Sequence, residues 1–160
     1  MGTAHSKANT STVLAKADWD RVLELWNSNF PIEVHVPSID ALQKVIEVEH
    51  CKHYTIRNLA LEIEAWMAVF DRYETRWFSI LVAPEAQDKG VGKALIRHAQ
   101  SVEPILEGWV VQSDKHTRAD GLLYKSQLDF YYKLGFRLNP NRFSPDGKLD
   151  VVCVKWVAGR

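Results

Sequence analysis

Between Trp77 and Val102 the chain changes character three times, and the order of those changes constrains the fold more than any other feature. Trp77-Phe78-Ser79-Ile80-Leu81-Val82 is an apolar run of strand length, as expected of a strand covered on both faces. Pro84 ends it, because proline cannot donate to a ladder. Gln87-Asp88-Lys89-Gly90-Val91-Gly92-Lys93 follows as a turn carrying two glycines. Val91, Ala94, Leu95, Ala99 and Val102 then share one stripe of an amphipathic helix. A buried strand that runs directly into a helix N-terminus calls for a sheet with helices on its faces.

The flanking segments fit that frame. Upstream, Leu61, Ile63, Ala65 and Met67 alternate with Glu62, Glu64, Trp66 and Ala68, which predicts a strand with one more polar face, running on through Phe70. Asp71-Arg72-Tyr73-Glu74 reads as a hairpin connection, and His53 to Arg57 as a shorter strand before a turn at Asn58. Earlier still, Asp18 reads as an N-cap for a helix with Trp19, Val22, Leu23, Trp26 and Phe30 on one stripe, ended by Pro31. Ser38 caps a second helix that carries Leu42, Val45 and Ile46. Residues 1–11 read as a disordered polar tail, with a short β-prone stretch from Thr12 to Ala15. Downstream come a strand at Trp109 to Val111, a helix from about Gly121 to Leu134 with Gly135 at its end, and a last strand from Asp150 to Val157. The order is β-α-α-β-β-β-α-β-α-β-β, without repeat or linker. It predicts a single α+β domain over 12–160 with a mixed, mostly antiparallel central sheet flanked by helices.

Charge narrows the partners. Twenty Lys plus Arg balance twenty Asp plus Glu in 160 residues, so bulk charge does not favour a nucleic-acid or membrane coat. The two cysteines, Cys51 and Cys153, imply no disulfide framework, and a reducing, cytoplasmic setting is the simpler reading. No apolar run suggests a membrane span, and Met1 to Ser6 lacks the apolar core of a signal peptide. The first residues fit the loose Met-Gly-x-x-x-Ser pattern, which is short enough to arise by chance. His50-Cys51-Lys52-His53 crowds metal-ligand types into four residues, but no second half completes a site, so no metal is expected. Cys51 and His53 lack a third, orienting group for nucleophilic chemistry.

The glycine turn carries the chemistry. The first N–H groups of a helix lack intrahelical partners and lie at the positive end of its dipole. Two glycines let an anion approach the backbone, and Lys89 and Lys93 add charge, so a pyrophosphate is the expected ligand. Gly92-Lys93-Ala94 is not a Walker A ending, and Leu95 stands where a Rossmann fingerprint needs its third small residue.

Val82-Ala83-Pro84-Glu85 followed by Gln87-x-x-Gly90-x-Gly92-Lys93-Ala94-Leu95 resembles the acetyl-CoA motif of the GNAT-type N-acetyltransferase superfamily. Phe130-Tyr131-Tyr132-Lys133-Leu134-Gly135-Phe136 is similar to that family's F-Y-x-K-x-G-F segment, and the element order agrees. The resemblance is strong over 76–136 and weak over the first fifty residues.

It implies an acyltransferase that moves an acetyl group from acetyl-CoA, bound as co-substrate, to a small-molecule or peptide amine. The transfer is direct, in a ternary complex. The alternative is a non-catalytic acyl-CoA-binding or regulatory domain on the same fold. No nucleic acid or membrane partner is implied, and family habit allows a homodimer. Leu81 and Val82 would offer backbone groups to the pantetheine arm and thioester. Gln87, Asp88, Lys89, Gly90, Val91, Gly92 and Lys93 would cradle the pyrophosphate. Tyr131 matches the tyrosine that protonates the departing thiolate, with Tyr132 next in register. Glu62, Glu64 and Asp114 are the carboxylates placed to take the amine's proton. The asparagine common in the family after its fifth strand has no clear counterpart in Gln112-Ser113-Asp114. Trp66, Trp77 and Trp109 fall on the strands expected around the acceptor cleft; sheet packing is the simpler role for them.

Overall fold

The computed structural model describes residues 8–46, 50–112, 117–118, 120–122, 125–143 and 151–159. Among these, seven strands form one mixed sheet. They are β1 (Asn9–Ser11), β2 (Lys52–Arg57), β3 (Ile63–Arg72), β4 (Thr75–Val82), β5 (Ile105–Val111), β6 (Arg137–Leu138) and β7 (Val151–Val157). Their spatial order is β1-β2-β3-β4-β5-β7-β6, and every pairing is antiparallel except β4 with β5. The helices are α1 (Lys16–Asn29), α2 (Ile39–Val45), α3 (Val91–Val102) and α4 (Leu128–Lys133). α1 packs on β3 and β4, and α3 packs on β2, β3 and β4. The predicted order of elements and the mixed, mostly antiparallel sheet are both found.

Several boundaries differ from the sequence expectation, each for a physical reason. The first strand lies at Asn9–Ser11, within the predicted polar tail, because pairing with β2 uses main-chain groups and leaves these side chains exposed. Asp18 is not the N-cap of α1. Ala15 holds that position, and Asp18 lies in the first turn, where its carboxylate accepts two 2.9 Å bonds from Arg57 on β2. Ser38 does cap α2, its hydroxyl accepting from the Ala41 N–H at 3.1 Å. The β3 alternation misleads: Ile63 through Phe70 are all buried, Glu64 included. Tyr73 and Glu74 join β3 to β4 with positive φ at both positions, the geometry that matches the twist of a hairpin. α4 is shorter than expected, starting at Leu128 rather than near Gly121.

The core fills both faces of the sheet. On the α1 face, Trp19, Val22, Leu25 and Trp26 pack towards Trp66, Phe70, Trp77 and Leu81. At the edge of that face, His53 is buried and its ring meets Trp19 edge-on. Trp66 donates its indole N–H to His53 Nδ1 at 3.1 Å. An indole only donates, so Nδ1 accepts and the neutral ring carries its proton on Nε2. Burial pushes the His53 pKa down to about 4. Cys51 and Cys153 are both buried and free, and burial pushes each thiol up to about 12, so neither is a nucleophile at neutral pH. None of the described helices is long and apolar enough to cross a membrane.

Candidate active site

The strands β4 and β5 run parallel but share a single register point, Trp77 with Glu107. Past it each keeps to its outer neighbour. β4 stays paired with β3 as far as Val82 opposite Ala65, and β5 with β7 as far as Val111 opposite Val151. A wedge-shaped opening results at the carboxyl ends of the two parallel strands, a position comparable to the crevice where open α/β sheets take ligands. Its vertex is crowded. A Cβ on Gly108 would lie 2.9 Å from Phe78 Cε1, so the Phe78 ring sits directly over the β5 backbone. Beside it, the buried Glu107 carboxylate accepts from Arg142 Nε (2.7 Å) and Asn139 Nδ2 (3.1 Å). Burial alone would raise the Glu107 pKa, but bonds from Arg142, Cys153 and Asn139 outweigh it and hold the carboxyl below its usual range.

Register decides which main-chain groups face the opening. Ala83 N–H donates to Glu64 C=O at 2.8 Å, which makes that pair a hydrogen-bonded one and, two residues back, Leu81 with Trp66 as well. Leu81 therefore turns its N–H and C=O towards β3. Val82 and Ile80, in the alternate positions, turn theirs into the opening. Of the two residues named from sequence, Val82 has the geometry to offer backbone groups to a ligand there. Leu81 contributes a buried side chain instead.

The glycine turn sits at the end of β4. After a 3-10 turn at Pro84–Ala86, Gln87 Nε2 donates to the Val82 carbonyl (3.1 Å) and to Asn29 Oδ1 on α1 (2.6 Å). Asp88 and Gly90 then take left-handed conformations, φ 65° and 82°, and Gly90 is the N-cap of α3. Lys89 and Lys93 are exposed. A Cβ on Gly92 would lie 3.2 Å from Val82 Cγ2 and 3.6 Å from Phe130 Cζ, so the first turn of α3 lies close against the β4 end. The combination is a helix N-terminus, unpaired by its nature, delivered beside the open strand end.

The segment after α1 closes one side. Trp26 Nε1 donates to the Val34 carbonyl (2.9 Å), Asn27 makes two 2.9 Å bonds with the Val36 main chain, and Ile32 N–H reaches the Thr117 carbonyl (3.1 Å). Phe30, Val34 and Val151 pack against Val111. The chain thus passes from the β4 side of the opening to the β5 side.

Of the catalytic candidates, Tyr131 lies at the vertex. It is buried, with its ring centroid 5.8 Å from that of Phe78, 5.2 Å from Phe130 and 5.5 Å from Phe136. Tyr132, the alternative by one register step, lies on the other side of α4, lining a shallow hollow with Lys133, Arg137 and Leu138. Glu64 is buried opposite Ala83, next to the strand end, whereas Glu62 is exposed. Asp114 lies outside the described residues. Trp66 and Trp77 are fully buried packing residues, and Trp109 is half-buried with its ring 5.3 Å from Trp77. Cys51 Sγ lies 3.9 Å from His53 Nδ1, away from the opening. Sequence reasoning passed over Glu107, Arg142 and Asn29. A lone acid inside the apolar run Ile105 to Val111 was the available signal for Glu107; the other two carry no local pattern.

Over residues 49–138 the chain matches the model of the acetyltransferase (GNAT) domain. The chain belongs to the GNAT acetyltransferase family. Several solved structures share this fold at low identity. A protein of Streptococcus mutans (smu.2055) is 20% identical with a TM-score of 0.66, covering 95% of this chain and 99% of that one. The ribosomal-protein-S18-alanine N-acetyltransferase of Escherichia coli is 16% identical with a TM-score of 0.65, covering 94% and 93%. The spermidine/spermine N-acetyltransferase SpeG of Vibrio cholerae is 16% identical with a TM-score of 0.60, covering 94% and 92%. No protein of curated function matches the chain.

Proposed function

We propose that this GNAT protein is a cytoplasmic N-acetyltransferase that moves the acetyl group of acetyl-CoA directly to a primary amine, on a small molecule or a peptide. The observation that carries the reading is the juxtaposition of two features: the open end of β4, with Val82 main-chain groups turned into the gap, and the left-handed Gly90 turn that starts α3 beside it. The loop Gln87–Lys93 takes the pyrophosphate through main-chain N–H groups, with Lys89 and Lys93 adding charge. The thioester then lies along β4. The unprotonated amine attacks the thioester carbonyl, the Val82 N–H stabilises the oxyanion, and the intermediate collapses with loss of thiolate. Tyr131 gives the thiolate its proton, and a carboxylate, Glu64 or Asp114, takes the proton lost by the amine.

The test has two stages. Calorimetry with acetyl-CoA reads the donor site, and no heat and no thermal shift would sink the proposal. Release of free thiol from acetyl-CoA across a panel of amines then reads transfer. Tyr131→Phe is expected to lower turnover by about 10²-fold or more while acetyl-CoA affinity stays within about twofold. Binding without turnover on any amine supports instead a CoA-binding regulatory domain.

A further inference from the structure

Gln87 is exposed, yet it spends both amide N–H groups on acceptors of its own chain, and those partners connect three elements. Its Nε2 bonds the Val82 carbonyl, which β4 turns away from β3, and Asn29 Oδ1 at the end of α1. Asn29 is itself fixed, because its Nδ2 donates to the Leu25 carbonyl at 2.7 Å. The two amides cannot be flipped without loss: each nitrogen faces only oxygen acceptors, so the assigned orientations are mutually required. The chain Leu25 C=O, Asn29, Gln87, Val82 C=O thus joins helix α1, the glycine turn and the open strand end.

The place of this bridge matters. Gln87 is the last extended residue before Asp88 and Gly90, the two left-handed positions that aim the first N–H groups of α3. A turn with two such residues has many competing shapes, and ordering it on binding costs affinity. Anchoring its first residue at two points removes part of that cost beforehand.

We propose that Asn29 and Gln87 are positioning residues: through their amide bridge α1 holds the pyrophosphate turn in its binding shape, so the helix and the donor turn act as one unit. The inference rests on the acetyl-CoA reading given above. Gln87 has no need to touch the cofactor with its side-chain nitrogen, since both of its donors are already engaged.

A double-mutant cycle on acetyl-CoA binding tests it, read by calorimetry, with melting temperatures measured alongside. Asn29→Ala and Gln87→Ala should each weaken the acetyl-CoA Kd about three- to tenfold, and the double variant no more than either single one. Asp18→Asn is the control. It removes the bidentate bond that ties the other end of α1 to Arg57, so it should lower the melting temperature and leave the Kd unchanged. Wild-type affinity in Asn29→Ala, fully multiplicative losses in the double variant, or an equal loss in Asp18→Asn each overturns the inference alone. Absence of acetyl-CoA binding by the unaltered protein overturns the functional reading and this inference with it.

Discussion

The two arms of the opening are held in different ways. The β4 arm is secured by main-chain pairing with β3 and by polar bonds from α1: Asp18 with Arg57, Arg21 Nε with the Ile63 carbonyl (3.1 Å), Arg21 with Glu85 (3.2 Å), and Asn29 with Gln87. Most of these are at least partly exposed. The β5 arm is secured by seven register pairs with β7 and by a buried carboxylate, Glu107, gripped by Arg142 and Asn139. Arg142 also lies over the Tyr73 and Trp77 rings, so one guanidinium ties the β3–β4 hairpin to β5 at the vertex. The contrast separates two tasks. The vertex and the β5 arm carry stability, because a buried charge or a packed ring cannot be removed cheaply. On the proposed reading the β4 arm takes the ligand contacts, and its fastenings are weak enough individually to be tuned.

The largest test of this contrast is at the vertex. In Gly108→Val the new atoms meet the Phe78 ring at 2.9 Å and the Phe78 carbonyl at 3.1 Å, and neither can retreat, since the ring is packed on Tyr131 and Phe136. A loss of about 3–4 kcal/mol is expected in denaturant unfolding. Stability within 1 kcal/mol of the parent would show that β4 and β5 are not wedged apart there. Glu107→Gln comes next, at about 2–3 kcal/mol, because it leaves Arg142 without its anion. The folded pKa of Glu107 is depressed, so its contribution is present above the unfolded carboxylate value and is lost as pH falls through the folded one. The acid limb of the stability profile should therefore shrink in Glu107→Gln, and an unchanged limb would count against the ion pair.

These two arms were unequally legible in the sequence. The glycine turn, its helix and the α4 segment that carries Tyr131 could be placed because their patterns are local: neighbouring residues make the loop, and the α4 segment precedes its glycine directly. Glu107 could not be assigned, because its partners stand 32 and 35 residues away and only the sheet brings them together. Glu64 looked like a surface carboxylate from its alternation, yet α1 covers that face and buries it. Leu81 and Val82 illustrate a finer limit. Both end the same apolar run, but which one turns its N–H to the opening depends on which β3–β4 pairs are hydrogen-bonded, and the Tyr73–Glu74 turn sets that alternation from the far end of the hairpin.

His53 sharpens the comparison from the far side of the β4 arm. It is buried, its Nδ1 is taken by Trp66, and burial holds its pKa near 4 against 6.5 unfolded. The unfolded chain therefore binds the extra proton first. Stability is full above pH 6.5 and declines as pH falls towards 4, by about 2 kcal/mol at pH 5. This limb lies at higher pH than that of Glu107, so the two are separable in one titration. Unfolding of His53→Gln between pH 7.5 and 5 should show a flatter profile, the amide oxygen still accepting from Trp66. A slope equal to the parent's would remove His53 as its source.

Gly90 and Gly108 bring the contrast down to single residues, since each must be glycine for the opposite reason. Gly90 has φ 82° and nothing within 4 Å of a Cβ. Gly108 is not among the positive-φ residues and has no room. Space and backbone conformation are thus separated, one on each arm. Asparagine tolerates the left-handed region and is larger than alanine. At Gly90, alanine should cost about 1 kcal/mol and weaken acetyl-CoA binding, while asparagine should recover most of both. At Gly108 the ranking should reverse, with asparagine worse than alanine because only volume counts. Melting temperatures of the four variants, with acetyl-CoA affinities for the Gly90 pair, check this. Alanine better than asparagine at both positions would mean that the turn is crowded too, and that the open approach to the start of α3, on which an anion site depends, does not exist.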